Sequence, residues 1–268
     1  MKTFALMQPH FFPYIGYFYL MFSTDIFVYY DTAQFSHQSW QSRNRLLDQT
    51  GKVHTVAVPI CHSSKFLPIS QVLLSTGRHK NIACSFKDLT NRIESYYCQA
   101  PHASTLREFL ALAFGDVSSP KLIDLNIRIV QIACSQLSAR LGKSPDFRLL
   151  SEVMECIPEF MALERVQRIV QCASILKCDK YITPGGSVEY MLNSPYKHEL
   201  KPLITSVLAG NKVCYQQIGA KRKALPKFEG NLSILDLLAN IGWDGIAELL
   251  ISHDLYELKT ISSFQSTA

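Results

Sequence analysis

The sequence predicts an α/β fold: a Rossmann-like, mostly parallel sheet with a β-hairpin insertion and a helical lobe over about 104–178. Three observations point there. Before Asp31 a short apolar strand, a proline-bracketed loop, a short helix and a second strand follow one another, the opening of a parallel α/β sheet. Amphipathic stripes at helical spacing fill the middle of the chain. A further β-rich run at 180–183 then ends at Pro184-Gly185-Gly186. In such sheets ligands favour the carboxyl ends of the strands, so candidate site residues are sought there.

Taken in order, Thr3–Met7 reads as a buried strand, Gln8–Tyr14 as a loop and Ile15–Phe22 as a helix. Asp25–Asp31 carries β-branched and aromatic residues between acidic ends and reads as the second strand. Arg45–Leu47 and Val53–Val58 pair as a hairpin across Asp48–Gly51, where Gly51 supplies the positive φ. Residues 61–71 read as loop. Helices follow at 104–114, from Ser119-Pro120 to the residue before Gly142, and at 159–177. Strands are expected at Lys180–Thr183 and Val213–Tyr215, then a helix from Ser233 that ends before Gly242 and a frayed tail from Lys259. No repeat or low-complexity linker divides the 268 residues, so a single domain is expected.

Composition narrows the function classes. Nearly half the residues are apolar, which excludes disorder as the main state. Twenty-seven Lys and Arg against 22 Asp and Glu give a net charge of +5. That mild excess suits a small anionic ligand and falls short of a nucleic-acid-binding face, so no nucleic acid partner is expected. The eight cysteines form no Cys-x-x-Cys pair and fit a reduced protein with small buried thiols. Neither a cofactor fingerprint nor zinc-like ligand spacing stands out, so no cofactor and no metal are expected. Met1–Met7 is too short for a signal peptide. The most apolar segment, Phe11–Phe22, contains Pro13 and lacks the about 20 residues a membrane span needs. A cytoplasmic location without a transmembrane segment follows.

Several constellations carry chemistry. In the first, two prolines fix the loop after the first strand, Gln8 offers donor and acceptor, and His10 is a candidate acid or base. Tyr14 closes that loop, and Gly16 allows close backbone approach to a ligand. In the second, Asp31 and Gln34 lead into Trp40, Arg43, Asn44 and Arg45. Arginine forks bind phosphate or carboxylate, and Trp40 offers a stacking face. If that segment is extended, Arg43 and Arg45 share one face and Asn44 lies on the other. The third is Thr183, Gly185 and Gly186, where backbone N–H groups after a strand can meet an anion. The fourth, Lys221-Arg222-Lys223 with Lys227, reads as a basic loop, either a solvated surface run or a contact for pyrophosphate or anionic lipid.

Gln8-Pro9-x-x-Phe12-Pro13-x-x-Gly16-Tyr17-Phe18, Asp31-x-x-Gln34-Phe35 and Trp40-x-x-Arg43-Asn44-Arg45 together resemble the WbqC-like family. Later pieces agree in order: Val56-x-Val58-Pro59, Tyr96 with Ala100-Pro101, Asn126, Tyr181-x-x-Pro184-Gly185-Gly186 with Tyr190, and Asn231–Asp236 with Asn240 and Gly242. The resemblance implies a bacterial protein associated with O-antigen or other surface-polysaccharide biosynthesis, in a family suggested to include glycine transferases that acylate an amino sugar. On that reading Arg43 or Arg45 anchors the pyrophosphate of a sugar nucleotide, Trp40 stacks on base or sugar, and Asp31 or His10 accepts the amine proton. Two alternatives stay open: an ATP-dependent nucleotidyl or adenylyl transferase, and a non-catalytic partner of a polysaccharide assembly system.

Overall fold

The computed structural model describes residues 1–61, 66–79, 81–115, 117–210, 232–252 and 256–261. The chain runs β1 (Thr3–Met7), α1 (Ile15–Phe22), β2 (Ile26–Tyr29), β3 (Arg43–Leu47), β4 (Val53–Ala57), α2 (Ile82–Tyr97), α3 (Ala103–Phe114) and α4 (Leu122–Leu141). It continues through β5 (Asp146–Leu149), α5 (Leu150–Val153), α6 (Arg165–Leu176), β6 (Lys180–Pro184), α7 (Val188–Asn193), β7 (Ile204–Gly210), α8 (Ile234–Ile251) and β8 (Tyr256–Thr260).

Among the described residues, six strands form one sheet in the order β5-β2-β1-β6-β7-β8, and β3-β4 stand apart as a two-stranded hairpin. The pairs β5–β2, β2–β1, β1–β6 and β6–β7 are parallel, while β7–β8 is antiparallel. Counted within the sheet, this is the 3-2-1-4-5-6 order of doubly wound nucleotide folds, with its reversal between β1 and β6.

Alternation along the strands divides the apolar residues between two faces. Ala5, Phe27, Tyr29 and Ile182 enter a core with α1, α2, α3, α4, α8 and the hairpin. Phe4, Leu6, Ile26, Val28 and Tyr181 enter a second with α5, α6 and α7. The helices between 104 and 178 therefore lie on both faces of the sheet. Because both faces are covered, β1 and β2 read as nearly continuous apolar runs.

Several expected boundaries move. The second strand is confined to Ile26–Tyr29: the Tyr30 N–H still reaches β1 at the Met7 carbonyl, but that of Asp31 turns back to the Tyr29 carbonyl. The helix expected from Ser119-Pro120 starts at Leu122: the Pro120 carbonyl accepts the Leu74 N–H at 2.7 Å, and Lys121 bridges Leu73, which keeps the approach extended. The helix expected from 159 starts at Arg165, where Glu164 supplies a capping box with Gln167. At Gly242 the helical backbone is interrupted, with φ 66° and ψ −179°, so the helix from Ser233 stops there as expected and a second helical segment runs on to Ile251. A Cβ there would meet Nδ1 of His102 at 2.8 Å, so glycine is required twice over. The tail expected to fray from Lys259 pairs through Thr260 with Ser206. α2 and the strands β5, β7 and β8 are additions to the expected elements. Val213–Tyr215 and the Lys221–Lys227 loop lie outside the described residues. The seven described cysteines are free thiols. No helix among the described residues is long and apolar enough to cross a membrane.

Candidate binding crevice at the strand-order reversal

Where the strand order reverses, helices leave neighbouring strands on opposite faces and a crevice opens beyond the carboxyl ends. The ladder shows it directly. β1 pairs with β2 through Met7, but with β6 only at Thr3 and Phe4. Past Phe4 and Tyr181 the two central strands separate, and a cavity of about 120 Å³ lies between them. Leu6, Met7, Gln8, Tyr30, Arg165, Tyr181, Ser187 and Tyr190 line it.

Each polar wall has a local cause. Gln8 is the first residue past β1, and Tyr30 the first past β2, where its N–H donates to the Met7 carbonyl at 2.8 Å. Arg165 is the first residue of α6. Its guanidinium lies over the Tyr190 ring at 4.2 Å and over the Tyr30 ring at 5.6 Å. Among the described residues no carboxylate lies within ion-pair distance of it. Arg168, one turn later, is already engaged: it donates to the carbonyls of Leu163 and Met161 and, at 2.9 Å, to the Tyr30 hydroxyl. Burial pushes the Tyr181 phenol well above its ordinary value, and it raises Tyr190 too against the opposing pull of Arg165. Both phenols are therefore neutral O–H donors at pH 7. The crevice thus offers one cation, aromatic walls and neutral donors, a lining suited to a small anion attached to a flat or polar body.

The residues expected at the site separate into three groups. Gln8 lines the crevice, and Thr183, Gly185 and Gly186 border it just before Ser187. Thr183 is buried, with its hydroxyl 3.4 Å from the Tyr181 hydroxyl. Gly185 and Gly186 are exposed in a short 3₁₀ turn, and open space surrounds the position of a Cβ on Gly186.

A second group lies around a separate, open cavity of about 410 Å³ lined by Gln34, Phe35, Ser36, His37, Gln38 and Phe66. Arg43 donates to the Gln38 carbonyl at 2.7 Å, and the exposed Trp40 carries the Arg45 guanidinium 5.5 Å from its ring centroid. Arg43 and Arg45 do share a face of β3, with buried Asn44 opposite.

The third group supports the backbone. Asn44 donates to the carbonyls of Phe11 at 3.0 Å and Phe12 at 2.7 Å. Asn126 donates to Pro9 at 3.1 Å and Gln41 at 2.7 Å, and Ser233 donates to Phe12 at 2.8 Å. These bonds hold the Gln8–Tyr14 loop, including Phe12 at φ 42°, a conformation that a non-glycine residue keeps only when its surroundings enforce it. Asp31 accepts the Ser151 N–H at 3.0 Å and joins β2 to the start of α5. His10 is 7 % exposed, its ring 5.2 Å from that of Tyr17, and burial lowers its pKa to about 4. It is a neutral imidazole inside the core, off the crevice lining. Tyr14 precedes α1, and Gly16 is buried within its first turn, where the Pro13 carbonyl receives the Ile234 N–H.

Arg165, Tyr30, Ser187, Tyr181 and Tyr190 were not among the expected site residues. Tyr181 and Tyr190 flank the Pro-Gly-Gly motif and were legible there. Arg165 follows a capping glutamate at a helix start, and nothing in the sequence separates it from other charged helical residues.

A family model described as the WbqC-like protein family matches residues 8–248. An uncharacterized protein of Mycobacterium tuberculosis, Rv1507c, is 26 % identical over 251 residues, covering 90 % of this chain and 95 % of its own length. No solved structure matches the chain.

Proposed function

The chain belongs to the WbqC-like protein family, and on that premise we propose that it is a transferase of bacterial surface-polysaccharide biosynthesis, adding glycine or another acyl group to a nucleotide-linked amino sugar. The observation that carries the reading is the half-buried Arg165 guanidinium, placed at the strand-order reversal with no anionic partner among the described residues. A cation held there on two tyrosine faces is an anchor for substrate charge, because a desolvated guanidinium gains most from an incoming anion. Tyr30, Tyr181 and Tyr190 surround that anchor with donors and exclude water from one side. The roles expected for Asp31 and His10 weaken, since both side chains serve the fold. In this reading the acceptor amine meets the acyl donor beside the crevice, and the second cavity near Gln34 and Trp40 has room for the sugar.

The test is a thermal-shift series with UDP-, dTDP- and GDP-linked amino sugars, glycine, and ATP with magnesium, followed by mass analysis of mixtures containing an activated glycyl donor. A ligand at 100 times its Kd adds about 2.7 kcal/mol, a rise of several degrees. Stabilisation by a sugar nucleotide and a product heavier by one glycyl or acyl group support the reading. Stabilisation by ATP alone replaces it with nucleotidyl transfer. Silence throughout removes it.

A further inference from the structure

We propose that the ligand taken by Arg165 is a small carboxylate, an amino or acyl acid, and not the phosphates of a nucleotide; this rests on the reading above that Arg165 anchors an anion. Doubly wound folds hold phosphate on two backbone devices, a glycine-rich loop after the first strand and the N-terminus of a helix that opens on the crevice. Neither is built that way here. The first loop has no glycine before Gly16, its Pro9 and Pro13 carry no N–H, and the Phe11 N–H donates to the Trp40 carbonyl at 2.9 Å. At the start of α6 the Glu164 carboxylate accepts the Val166 N–H at 2.7 Å, so a negative charge occupies the place a phosphate would take.

What is left is a side chain. Arg165 is the one Lys or Arg among the lining residues, which matches the single charge of a carboxylate better than the two or three of a diphosphate. Stacking on Tyr190 and Tyr30 fixes the plane of its guanidinium, and a fixed fork is matched by the two coplanar oxygens of a carboxylate. Space argues the same way. About 120 Å³ is well under the about 300–1,000 Å³ of pockets that enclose drug-sized ligands.

Ligand-observed NMR on the full chain decides it, with glycine, propionate and UDP as proton probes and inorganic pyrophosphate followed by phosphorus resonances. The variants are Arg165→Lys, which keeps the charge and loses the fork, and Arg165→Gln, which removes the charge and leaves a shorter polar side chain; thermal unfolding verifies that each is folded. Binding of glycine or propionate that falls at least about tenfold in both variants, with UDP and pyrophosphate unaffected, is the expected result. Phosphates that bind through Arg165 as tightly as the carboxylates, or in their place, overturn the inference and leave the anion anchor standing. Failure of every anion to depend on Arg165 overturns both.

Discussion

Two loops meet at the crevice and differ in how they use their polar groups. The first, Gln8–Tyr14, has the denser motif, yet its carbonyls are held by Asn44, Asn126 and Ser233, and His10 is buried against Tyr17. The opposite wall, from Arg165 through Tyr181 to Tyr190, has a sparser motif and leaves a guanidinium stacked but unpaired among the described residues. A dense motif at a strand end thus marks where a backbone path must be fixed. The unpaired guanidinium nearby marks where a ligand can gain.

That contrast can be broken most sharply at Asn44. Asn44→Ala strands the Phe11 carbonyl, leaves that of Phe12 to Ser233 alone and loses the acceptor for the Arg45 N–H, so it costs about 3 kcal/mol of stability in urea unfolding. An effect under about 1 kcal/mol would mean that the first loop holds its path without the amide. His10 comes next. Unfolded it takes its proton near pH 6.5, folded only near 4, so the unfolded state binds more protons between those values. Stability is full above about 6.5 and falls by about 3 kcal/mol as the pH drops to 4. Denaturation curves across that window measure the slope, and His10→Gln should remove this component of it.

Gly242→Ala is the third, with a loss of about 2 kcal/mol from the positive φ and the contact with His102. Gly242 is not among the residues that line the crevice, so ligand binding by the folded fraction should persist. The smallest effect on stability is expected at the crevice itself. Arg165→Gln removes stacking on the Tyr30 and Tyr190 rings, about 1 kcal/mol, while anion binding falls at least about tenfold. A large loss of stability at Arg165 would place it with the scaffold and erase the distinction.

The opening β–α–β unit was readable because Thr3–Met7 and Ile26–Tyr29 are buried on both faces and so are apolar throughout. The hairpin was readable from Gly51 and its flanking runs. α2 was harder to see: its buried stripe is Phe86, Leu89, Ile93 and Tyr97, barely one residue per turn in an otherwise polar segment. β5 also hid, as an edge strand with exposed Asp146 and Arg148. Among the residues that line the cavity, Gln8 was found because a strand end can be located from local pattern. Arg165 was not, because the α6 start reaches the crevice only through the order of strands in the sheet. Asn44 is the opposite case: its amide donates to backbone carbonyls, and a polar residue in a motif reads alike whether it binds a ligand or a carbonyl.

Phe12 has a consequence in time. Its carbonyl is held by Ser233, 221 positions later in the chain, and Pro9 by Asn126, 117 positions later. At about 5–20 residues per second a ribosome needs on the order of ten to forty seconds to travel from Phe12 to Ser233. Early in that interval Asn44 becomes available to hold the Phe11 and Phe12 carbonyls, but the bonds from Asn126 and Ser233 that complete the lock are still missing. The crevice wall at Gln8 is therefore among the last parts of the molecule to set.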